Sequence, residues 1–248
     1  MNPLSVITVT YNAEHTLERT LKSIREQSYP HIEHVIVDGE SADGTVELIR
    51  KYAEEKVNAQ GKLRWVSEPD RGLYDAMNKA INLASGDYLC FLNAGDTFFA
   101  PDSVEKMMRT VEPGNSPDII YGETAIVEER GVFLYMRRLK APKKLTWKSF
   151  KQGMVVCHQA FIVKRELAEP YDLSYRFSSD FDWCIRMMKK ATSIHNTRLT
   201  LINYLNEGMT TTNRKESLKE RYRIMAKYYG HISTFFHHLW FVLRAVWK

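Results

Sequence analysis

The segment LSVITVTYNAEHTLERTLKSIREQSYPHIEHVIVD, residues 4–38, decides the fold of this chain. Leu4 to Thr10 and Ile32 to Val37 are runs rich in β-branched residues, which are typical of buried strands. Between these runs, Leu17 and Leu21 recur at the spacing of one helical face. The segment therefore predicts a strand, a helix and a second strand joined as a βαβ unit.

The same alternation continues beyond this unit. It predicts a second helix around Val46–Ala53, a third strand at Leu63–Val66, a third helix at Tyr74–Ala84 and a fourth strand at Tyr88–Leu92. Alternating strands and helices predict an α/β fold with a mainly parallel sheet, which binds ligands beyond the carboxyl ends of its strands. The polar residues expected at those ends are Tyr11, Asn12, Asp38, Glu40, Glu68, Asp70, Asn93 and Asp96.

After Asp96 the pattern is less regular. Two extended runs, around 125–128 and 132–137, are joined by three loop residues and predict a hairpin rather than another βαβ unit. The other elements expected here are helices near 103–111 and 181–188 and extended segments at 118–121, 160–163 and 194–204.

A polar segment at 206–215 separates this core from a different kind of sequence. Beyond it lie a charged helical stretch, 216–229, and the segment HISTFFHHLWFVLRAVWK, which is dense in aromatic residues. We therefore place a domain boundary after residue 205 and expect 206–248 to be a linker followed by an amphipathic helical tail.

The composition is that of a globular protein, with 44% hydrophobic and 26% charged residues and a net charge of +5. The mild positive charge suits anionic partners without choosing among them. The three cysteines lack a CxxC spacing, which argues against a disulfide framework or a structural zinc site. The chain has no signal-peptide pattern and no apolar run of spanning length, so we expect a cytoplasmic protein.

Six blocks of the sequence resemble the GT-A glycosyltransferases of family two, especially the bacterial enzymes that build exopolysaccharide and lipid-linked repeat units. The blocks occur in the family's order and cover most of residues 3–190. They are VITVTYN (Val6–Asn12), VDGESADGT (Val37–Thr45), EPDRGLYDAMNKAI (Glu68–Ile81), SGDYLCFLNAGD (Ser85–Asp96), CHQAFIVKR (Cys157–Arg165) and SSDFDWCIR (Ser178–Arg186).

The resemblance implies a GT-A, Rossmann-like catalytic domain over residues 1–205. Its nucleotide-sugar half would span about 1–97 and its acceptor half about 98–205. The implied partners are a nucleotide diphosphate sugar of UDP or GDP type and a saccharide or lipid-linked acceptor, and the implied reaction inverts the anomeric carbon.

The resemblance also assigns donor-binding residues. Tyr11 matches the aromatic position that lies against the base, although a strand-end aromatic can equally cap the core. Asp38 matches the carboxylate that accepts a hydrogen bond from the base. Arg71 lies on a loop from which a guanidinium can clamp diphosphate oxygens. The complete predicted donor set is Thr10, Tyr11, Asn12, Asp38, Asp70, Arg71, Asp75, Asn78, Asn93, Ala94, Gly95 and His158.

The metal motif departs from the family's pattern. Many members show Asp-x-Asp-Asp where this chain has Asn93-Ala94-Gly95-Asp96, so only Asp96 remains as a carboxylate ligand. One carboxylate together with phosphate oxygens and water can hold Mg²⁺ or Mn²⁺, which predicts weak, donor-dependent metal binding. The alternative is that these four residues form only a polar turn.

Two carboxylates in the SSDFDW block are candidates for the catalytic base. Alignment through Trp183 and Arg186 assigns the role to Asp180, with Asp182 as its rival and a helix N-cap as the structural alternative for either. His158, in the CHQAF block, is a candidate donor contact, and its alternative is a satisfied interior residue.

The sequence therefore predicts an inverting, metal-dependent glycosyltransferase. Two alternatives remain open. The first is a catalytically impaired nucleotide-sugar-binding protein, because the metal motif has lost two of its three carboxylates. The second is a nucleotidyltransferase. The second would need a glycine-rich basic loop where this chain has TYNAEHT. Nucleic-acid binding is not expected, because the positive charge is scattered and no recognition motif occurs.

The aromatic tail, residues 231–248, suits a helix lying in the headgroup region of a membrane. We expect peripheral attachment to the inner face of a bacterial inner membrane. The alternative is that the helix packs on the catalytic domain or on a second copy, forming a homodimer.

Overall fold

The computed structural model describes residues 2–57, 62–112, 114–206 and 214–246. The predicted linker and the last two residues of the tail therefore lie largely outside the described residues. The strands are β1 (Leu4–Thr10), β2 (Ile32–Asp38), β3 (Lys62–Ser67), β4 (Tyr88–Phe91), β5 (Thr97–Phe98), β6 (Ile119–Val127), β7 (Phe133–Met136), β8 (Phe161–Lys164) and β9 (Ile194–Leu205). The helices are α1 (Leu17–Arg25), α2 (Thr45–Val57), α3 (Leu73–Leu83), α4 (Ser103–Arg109), α5 (Ser179–Lys190), α6 (Arg214–Tyr229) and α7 (His231–Val246).

The described strands form one sheet in the order β3-β2-β1-β4-β8-β6-β9-β5, with β7 paired to β6. The strands β3, β2, β1 and β4 are all parallel, as the alternation of the first half predicts. The second half is mixed, because β8 runs antiparallel to both β4 and β6 while β9 runs parallel to β6. The α/β prediction is confirmed, and the parallel pairing is concentrated in the half that carries the predicted nucleotide site.

The predicted hairpin is present, but its first strand is longer than expected. β6 runs without a break from Ile119 to Val127, where the sequence predicts two separate runs. The polar residues Glu123 and Thr124 interrupt the apolar pattern, and the register against β9 shifts on either side of Glu123. Neighbouring strands cover both sides of β6, so Thr124 is buried in spite of its polarity.

Helices cover both faces of the sheet. Tyr74 and Met77 of α3 and Phe181 of α5 pack with Ile7 and Val9 on one face. The helices α1, α2 and α4 supply the apolar side chains of the other face. Successive residues of a strand point to opposite faces, so the uninterrupted apolar runs of β1 and β2 follow from burial on both sides.

The helix α6 is fastened to the catalytic core. The carboxylate of Glu220 accepts hydrogen bonds from the backbone N–H groups of Arg176, Phe177 and Ser178, which precede α5. Lys227 and the Tyr228 hydroxyl bind Asp182 of α5, at 3.0 and 2.8 Å. The first helix beyond the predicted boundary is therefore part of the structure that positions α5.

A buried carboxylate ties β1, β2 and the turn before β4 together. Glu33, which is 3% exposed, accepts hydrogen bonds from the hydroxyls of Ser5 and Ser85 and from the Gly86 N–H, and it pairs with Arg64 at 3.2 Å. Burial alone would raise the pKa of Glu33, but the serine hydrogen bonds and the Arg64 charge lower it overall. The ionised carboxylate thus stabilises this corner of the sheet.

The Glu33→Gln variant should have a free energy of unfolding at pH 7 that is lower by about 1–3 kcal/mol, because Ser5, Ser85, Gly86 and Arg64 lose a charged acceptor. A carboxylate with a lowered folded pKa contributes stability above its unfolded pKa, and the contribution is lost as the pH falls through the folded value. The difference between parent and variant should therefore shrink as denaturation is measured at increasingly acidic pH. The exposed Glu47→Gln is the matched control, and equal stability of parent and Glu33→Gln at pH 7 would contradict this account.

Candidate active site

The carboxyl ends of four parallel strands meet at one edge of the sheet. In register, Thr10 of β1 lies beside Asp38 of β2, and Asp38 lies beside Ser67 of β3. The fourth strand, β4, pairs with β1 on its other side. The loops that follow these strands carry the predicted donor and metal residues, so the structure brings most of that set to one edge.

The loops after β1 and β2 are joined by hydrogen bonds. Asn12, which has a positive φ of 48°, donates its N–H to the Ser41 hydroxyl and accepts a bond from the Ala42 N–H. Asp38 is fully buried and accepts bonds from the Ser41 N–H and the Ser67 hydroxyl, at 2.9 and 2.7 Å. Asn12 and Asp38 therefore hold the shape of this edge, whatever ligand the edge binds.

The Tyr11 side chain is exposed and lies near the Asp70 carboxylate. It is 66% exposed, which is high for an aromatic residue that follows a buried strand. A Cβ atom added to Gly39 would lie 3.4 Å from the Tyr11 ring and 2.5 Å from Asp70 Oδ2. Tyr11, Gly39 and Asp70 thus form a corner in which an aromatic face and a carboxylate flank a position without a side chain.

The loop after β3 presents a cation. Arg71 pairs with Asp75 at 3.1 Å, and its backbone N–H also donates to Asp75. The Arg71 side chain is nevertheless 77% exposed. Asp75 therefore holds this arginine at the site edge through its backbone N–H and one guanidinium nitrogen, while the exposed remainder of the guanidinium can bind an anion.

Two buried polar atoms at this edge have no hydrogen-bond partner among the described residues: Thr10 Oγ1 and Asn93 Oδ1. Thr10 is only 6% exposed and ends β1, whereas Asn93 follows the adjacent strand β4. An unsatisfied buried polar atom costs free energy, and in a native protein it is commonly paired by a ligand or water. Both atoms belong to the predicted donor set.

Asp96 is buried and already hydrogen-bonded. Its carboxylate accepts bonds from Gln159 Nε2 at 2.8 Å and from the Leu205 N–H at 3.0 Å, and the residue is 4% exposed. Burial raises the pKa of Asp96 to about 7, although these bonds and the charge of Arg19 act in the opposite direction. The carboxylate therefore titrates near neutral pH in the absence of a bound cation.

The turn that carries Asp96 is shaped by Gly95, which has a positive φ of 95°. A Cβ atom at this position would also approach Leu205 Cδ2 to 2.7 Å. The neighbouring Ala94 packs against the apolar cluster of α1 and α2. Gly95 and Ala94 thus set the path of this loop through backbone and packing.

The structure separates the two candidate bases. Asp182 is fully buried, and its carboxylate binds Arg186 at 2.7 Å as well as Lys227 and Tyr228. Asp180 is only partly buried, and its carboxylate accepts one hydrogen bond from the Tyr74 hydroxyl, at 3.1 Å, and one from the Phe181 N–H. Asp182 is thus committed to a buried ion-pair network, which leaves Asp180 as the carboxylate free to accept a proton.

An aromatic cluster lies behind Asp180 and contains His158. The His158 ring is 4% exposed, bonds to the Tyr171 hydroxyl at 2.7 Å, and lies 4.9 Å from the Phe91 ring centroid. Burial lowers the pKa of His158 to about 4, so the imidazole is neutral at pH 7. In this structure the ring of His158, an expected donor contact, is enclosed by other side chains.

Asn78, another expected donor contact, is also bonded within the protein. Its side-chain amide makes two hydrogen bonds with the backbone of Tyr171, at 3.1 and 2.6 Å. Both ends of the amide are therefore occupied in holding α3 to the loop before α5.

Four residues outside the predicted set also belong to this region. Tyr74 and Gln159 bind Asp180 and Asp96 directly. Burial raises the pKa of Tyr204, and the charges of Asp96 and Asp180 add to that effect, so this phenol lies within electrostatic reach of both carboxylates.

The fourth is Arg221 of α6. Its guanidinium carbon lies 5.7 Å from the Phe181 ring centroid, and its Nε has no hydrogen-bond partner among the described residues. Gln159 adjoins His158 in a block that the sequence already marks, whereas Tyr204 and Arg221 lie in segments without a recognisable motif.

The described residues contain no cluster of three or more His, Cys, Asp or Glu side chains able to hold a metal. At the strand-end edge, the candidate oxygen ligands for a cation are the Asp96 carboxylate and Asn93 Oδ1, which has no partner among the described residues. These are hard ligands that suit Mg²⁺ or Mn²⁺, and two of them leave most coordination positions to phosphate and water. The residues therefore fit a cation that binds together with an anionic ligand.

A separate groove of about 320 Å³ lies between α1 and β5. It is lined by Arg19, Lys22 and Glu129 among others, and it contains none of the predicted site residues. Its chemistry is mixed and its walls include no orphaned polar atom, so the strand-end edge remains the candidate site.

Comparison with known proteins identifies the family of this chain. The sequence profile of Glycosyl transferase family 2 matches residues 5–171. The amylovoran biosynthesis glycosyltransferase AmsB of Erwinia amylovora is 30% identical over 215 residues, which cover 81% of this chain and 68% of AmsB.

Two solved structures share the fold. S. aureus TarS 1–349 in complex with UDP-GlcNAc matches with a TM-score of 0.72 at 18% identity, over 90% of this chain and 64% of that chain. The mannosyltransferase PcManGT from Pyrobaculum calidifontis, in complex with GDP-Man and Mn²⁺, matches with a TM-score of 0.63 at 20% identity, over 91% and 64%. This chain spans less than two thirds of each solved chain, and at these identities the likeness concerns the fold alone.

The raised pKa of Asp96 predicts a specific pH dependence of stability. Between about pH 4 and pH 7 the folded protein keeps a proton that the unfolded chain has released. The resulting stabilisation is complete below about pH 4 and is lost as the pH rises through about 7. Asp96→Asn removes this titration, so the Tm of the parent should fall relative to the variant between pH 5 and pH 8.

The exposed Asp87→Asn provides the control for the loss of a surface carboxylate. A pH-independent difference for Asp96→Asn would show that Asp96 does not titrate near neutrality.

Proposed function

The chain belongs to glycosyl transferase family 2, and from this we propose that it transfers a sugar from a nucleotide diphosphate sugar to an acceptor hydroxyl, with inversion at the anomeric carbon. One observation carries the proposal: at the carboxyl ends of adjacent parallel strands, Thr10 Oγ1 and Asn93 Oδ1 are buried and have no hydrogen-bond partner among the described residues. This is the edge at which open α/β sheets bind their ligands.

The surrounding residues suit the parts of such a donor. The open face of Tyr11 can stack on a base, and the nearby Asp70 carboxylate can accept a hydrogen bond from ribose or sugar hydroxyls. Arg71 can pair with diphosphate oxygens through its exposed guanidinium. The buried Asp38 orders this edge through Ser41 and Ser67 and lies next to the base position in the proposal.

The reaction is a direct displacement. The acceptor oxygen forms a bond to the anomeric carbon while the bond from that carbon to the diphosphate oxygen breaks, and the acceptor proton passes to Asp180 Oδ. The Tyr74 hydroxyl orients the Asp180 carboxylate, and Arg71 stabilises the charge of the departing nucleoside diphosphate. A product that keeps the anomeric configuration of the donor would contradict this mechanism.

A divalent cation, Mn²⁺ or Mg²⁺, belongs to the proposal as a Lewis acid that neutralises the diphosphate. Asp96 and Asn93 would hold it on the protein side, while Gln159 and the Leu205 N–H orient the Asp96 carboxylate. The Mn²⁺ in the description of PcManGT is in keeping with this role.

For the acceptor we propose a saccharide, carried on a lipid, in polysaccharide biosynthesis on the cytoplasmic side of a membrane. The similarity to AmsB, an amylovoran biosynthesis glycosyltransferase, supports the biosynthetic context. The acceptor half would be residues 98–205, which include Asp180 and Tyr204.

A donor panel tests the proposal. Thermal shift of the full chain with UDP and GDP sugars, with and without Mn²⁺, should identify a donor that raises the Tm. Transfer to a saccharide acceptor then separates an enzyme from an impaired binding protein, which would show the shift without product. Release of pyrophosphate from a nucleoside triphosphate and a sugar phosphate would point to a nucleotidyltransferase instead.

Thr10→Val should weaken donor binding by roughly fivefold without loss of stability, because it removes a buried hydroxyl that bonds to none of the residues the structure describes. Thr8→Val is the matched control on the same strand. The Thr8 hydroxyl bonds to Leu92 O and His34, so that variant should lose stability and keep its donor affinity. Unchanged donor affinity in Thr10→Val would remove the main support for this site.

Asp180→Asn should keep the fold and donor binding but lower the transfer rate by roughly a hundred- to ten-thousand-fold, since the amide cannot accept the proton. Asp182→Asn should behave differently and lower the free energy of unfolding by about 3 kcal/mol, because Arg186 and Lys227 lose a buried counter-charge. Transfer rates and denaturation midpoints of both variants decide between them. An active Asp180→Asn beside a stable but inactive Asp182→Asn would reverse the assignment.

A further inference from the structure

The helix α7 turns its apolar side away from the protein. Its less exposed side carries Ser233, Thr234, His237 and His238. The ring centroid of His238 lies 5.2 Å from that of Tyr222 on α6. Seven large apolar residues, each 44–78% exposed, form the outer face, which we call the α7 apolar face: Ile232, Phe235, Phe236, Leu239, Trp240, Val242 and Leu243. Contiguous apolar surface of this kind marks an interaction site in a protein that folds in water.

The α7 apolar face adjoins a segment rich in cations. The helix packs on the 3₁₀ helix Trp147–Gln152, and Gln152 shares a small pocket with Phe236 and Trp240. That 3₁₀ helix belongs to residues 130–165, which contain ten Lys or Arg and no Asp or Glu. Within it, Arg138, Lys140, Lys143, Lys144 and Lys148 are exposed.

The tail itself has the same charge pattern. Residues 221–248 contain five Lys or Arg and no Asp or Glu. Two acid-free segments from different parts of the chain therefore meet where α7 packs on the 3₁₀ helix. The surface around the α7 apolar face combines exposed aromatic side chains with positive charge that no acid in either segment offsets.

We propose that the α7 apolar face docks this protein onto the surface of an anionic phospholipid bilayer. Aromatic side chains at the level of the headgroups and cations beside anionic lipid are the two features that hold interfacial helices at a membrane. Among the described residues, no helix has the length and hydropathy that a membrane crossing requires. The helix would accordingly lie in the membrane surface and not cross it.

A second copy of the chain fits this surface less well. A two-fold dimer places the same patch of each subunit against the other. Here that would bring two surfaces rich in exposed cations together, and like charges across an interface oppose association. Anionic lipid supplies the opposite charge and an apolar layer at the same time.

The test is co-sedimentation of the full chain with vesicles of phosphatidylcholine alone and of phosphatidylcholine mixed with phosphatidylglycerol. The protein should bind the mixed vesicles, and binding should weaken as salt is added. Phe235→Ser/Leu239→Ser should reduce binding by at least about tenfold, because both side chains insert apolar surface. Phe99→Ser, which alters an exposed aromatic residue elsewhere, should bind like the parent.

Charge reversal tests the other half of the proposal. Arg138→Glu/Lys148→Glu should also reduce binding to the mixed vesicles, whereas Lys51→Glu/Lys62→Glu, at exposed positions away from this surface, should not. None of these residues belongs to the proposed donor site, so thermal shift with a nucleotide sugar should be unchanged in every variant. Membrane docking and the proposed transfer reaction can thus fail independently.

Three results would overturn the proposal. They are absence of binding to both kinds of vesicle, equal binding to neutral and anionic vesicles, and full binding by Phe235→Ser/Leu239→Ser. Analytical ultracentrifugation completes the experiment: a dimer that Phe235→Ser/Leu239→Ser dissociates, without vesicle binding by the parent, would show that a second copy covers the face.

Discussion

The parallel pairing of β1 with β2 and β4 is the constraint on which the rest of the structure depends. Because these strands run in one direction, their carboxyl ends meet at one edge, and every loop that carries a candidate donor residue starts there. The opposite ends are fixed by the Glu33 network, which ties β1, β2 and the turn before β4 together. One edge is thus closed by hydrogen bonds, while the other retains unpaired polar atoms.

The contrast between satisfied and unsatisfied groups distinguishes structural residues from candidate ligand contacts. Thr8 and Thr10 have the same side chain on the same strand, yet the hydroxyl of Thr8 is bonded on both sides and that of Thr10 is not. Asp182 and Asp180 are two residues apart on one helix, yet only the first is enclosed by cations. In each pair one residue is committed to the protein interior, while the other has fewer partners among the described residues.

The first half of the fold could be predicted from the sequence because each strand and helix there is a local pattern with short connections. The continuity of β6 and the placing of β8 between β4 and β6 depend on pairings between distant segments, which periodicity does not reveal. The same limit applies to the site. The partners of Asp182, Lys227 and Tyr228, lie on a helix more than 40 residues away, and the burial of His158 depends on Tyr171 and Phe91. Motifs predicted which residues gather at the site but not which of them are already occupied.

The central claim is that the edge formed by β1, β2, β3 and β4 binds the nucleotide sugar. The most direct measurement is a crystal structure of the full chain with a nucleoside diphosphate and Mn²⁺. The account predicts the nucleotide beside Tyr11, with Thr10 Oγ1 and Asn93 Oδ1 each paired to the ligand, its cation or a bridging water. A nucleotide bound in the groove between α1 and β5, with those two atoms still unpaired, would contradict it.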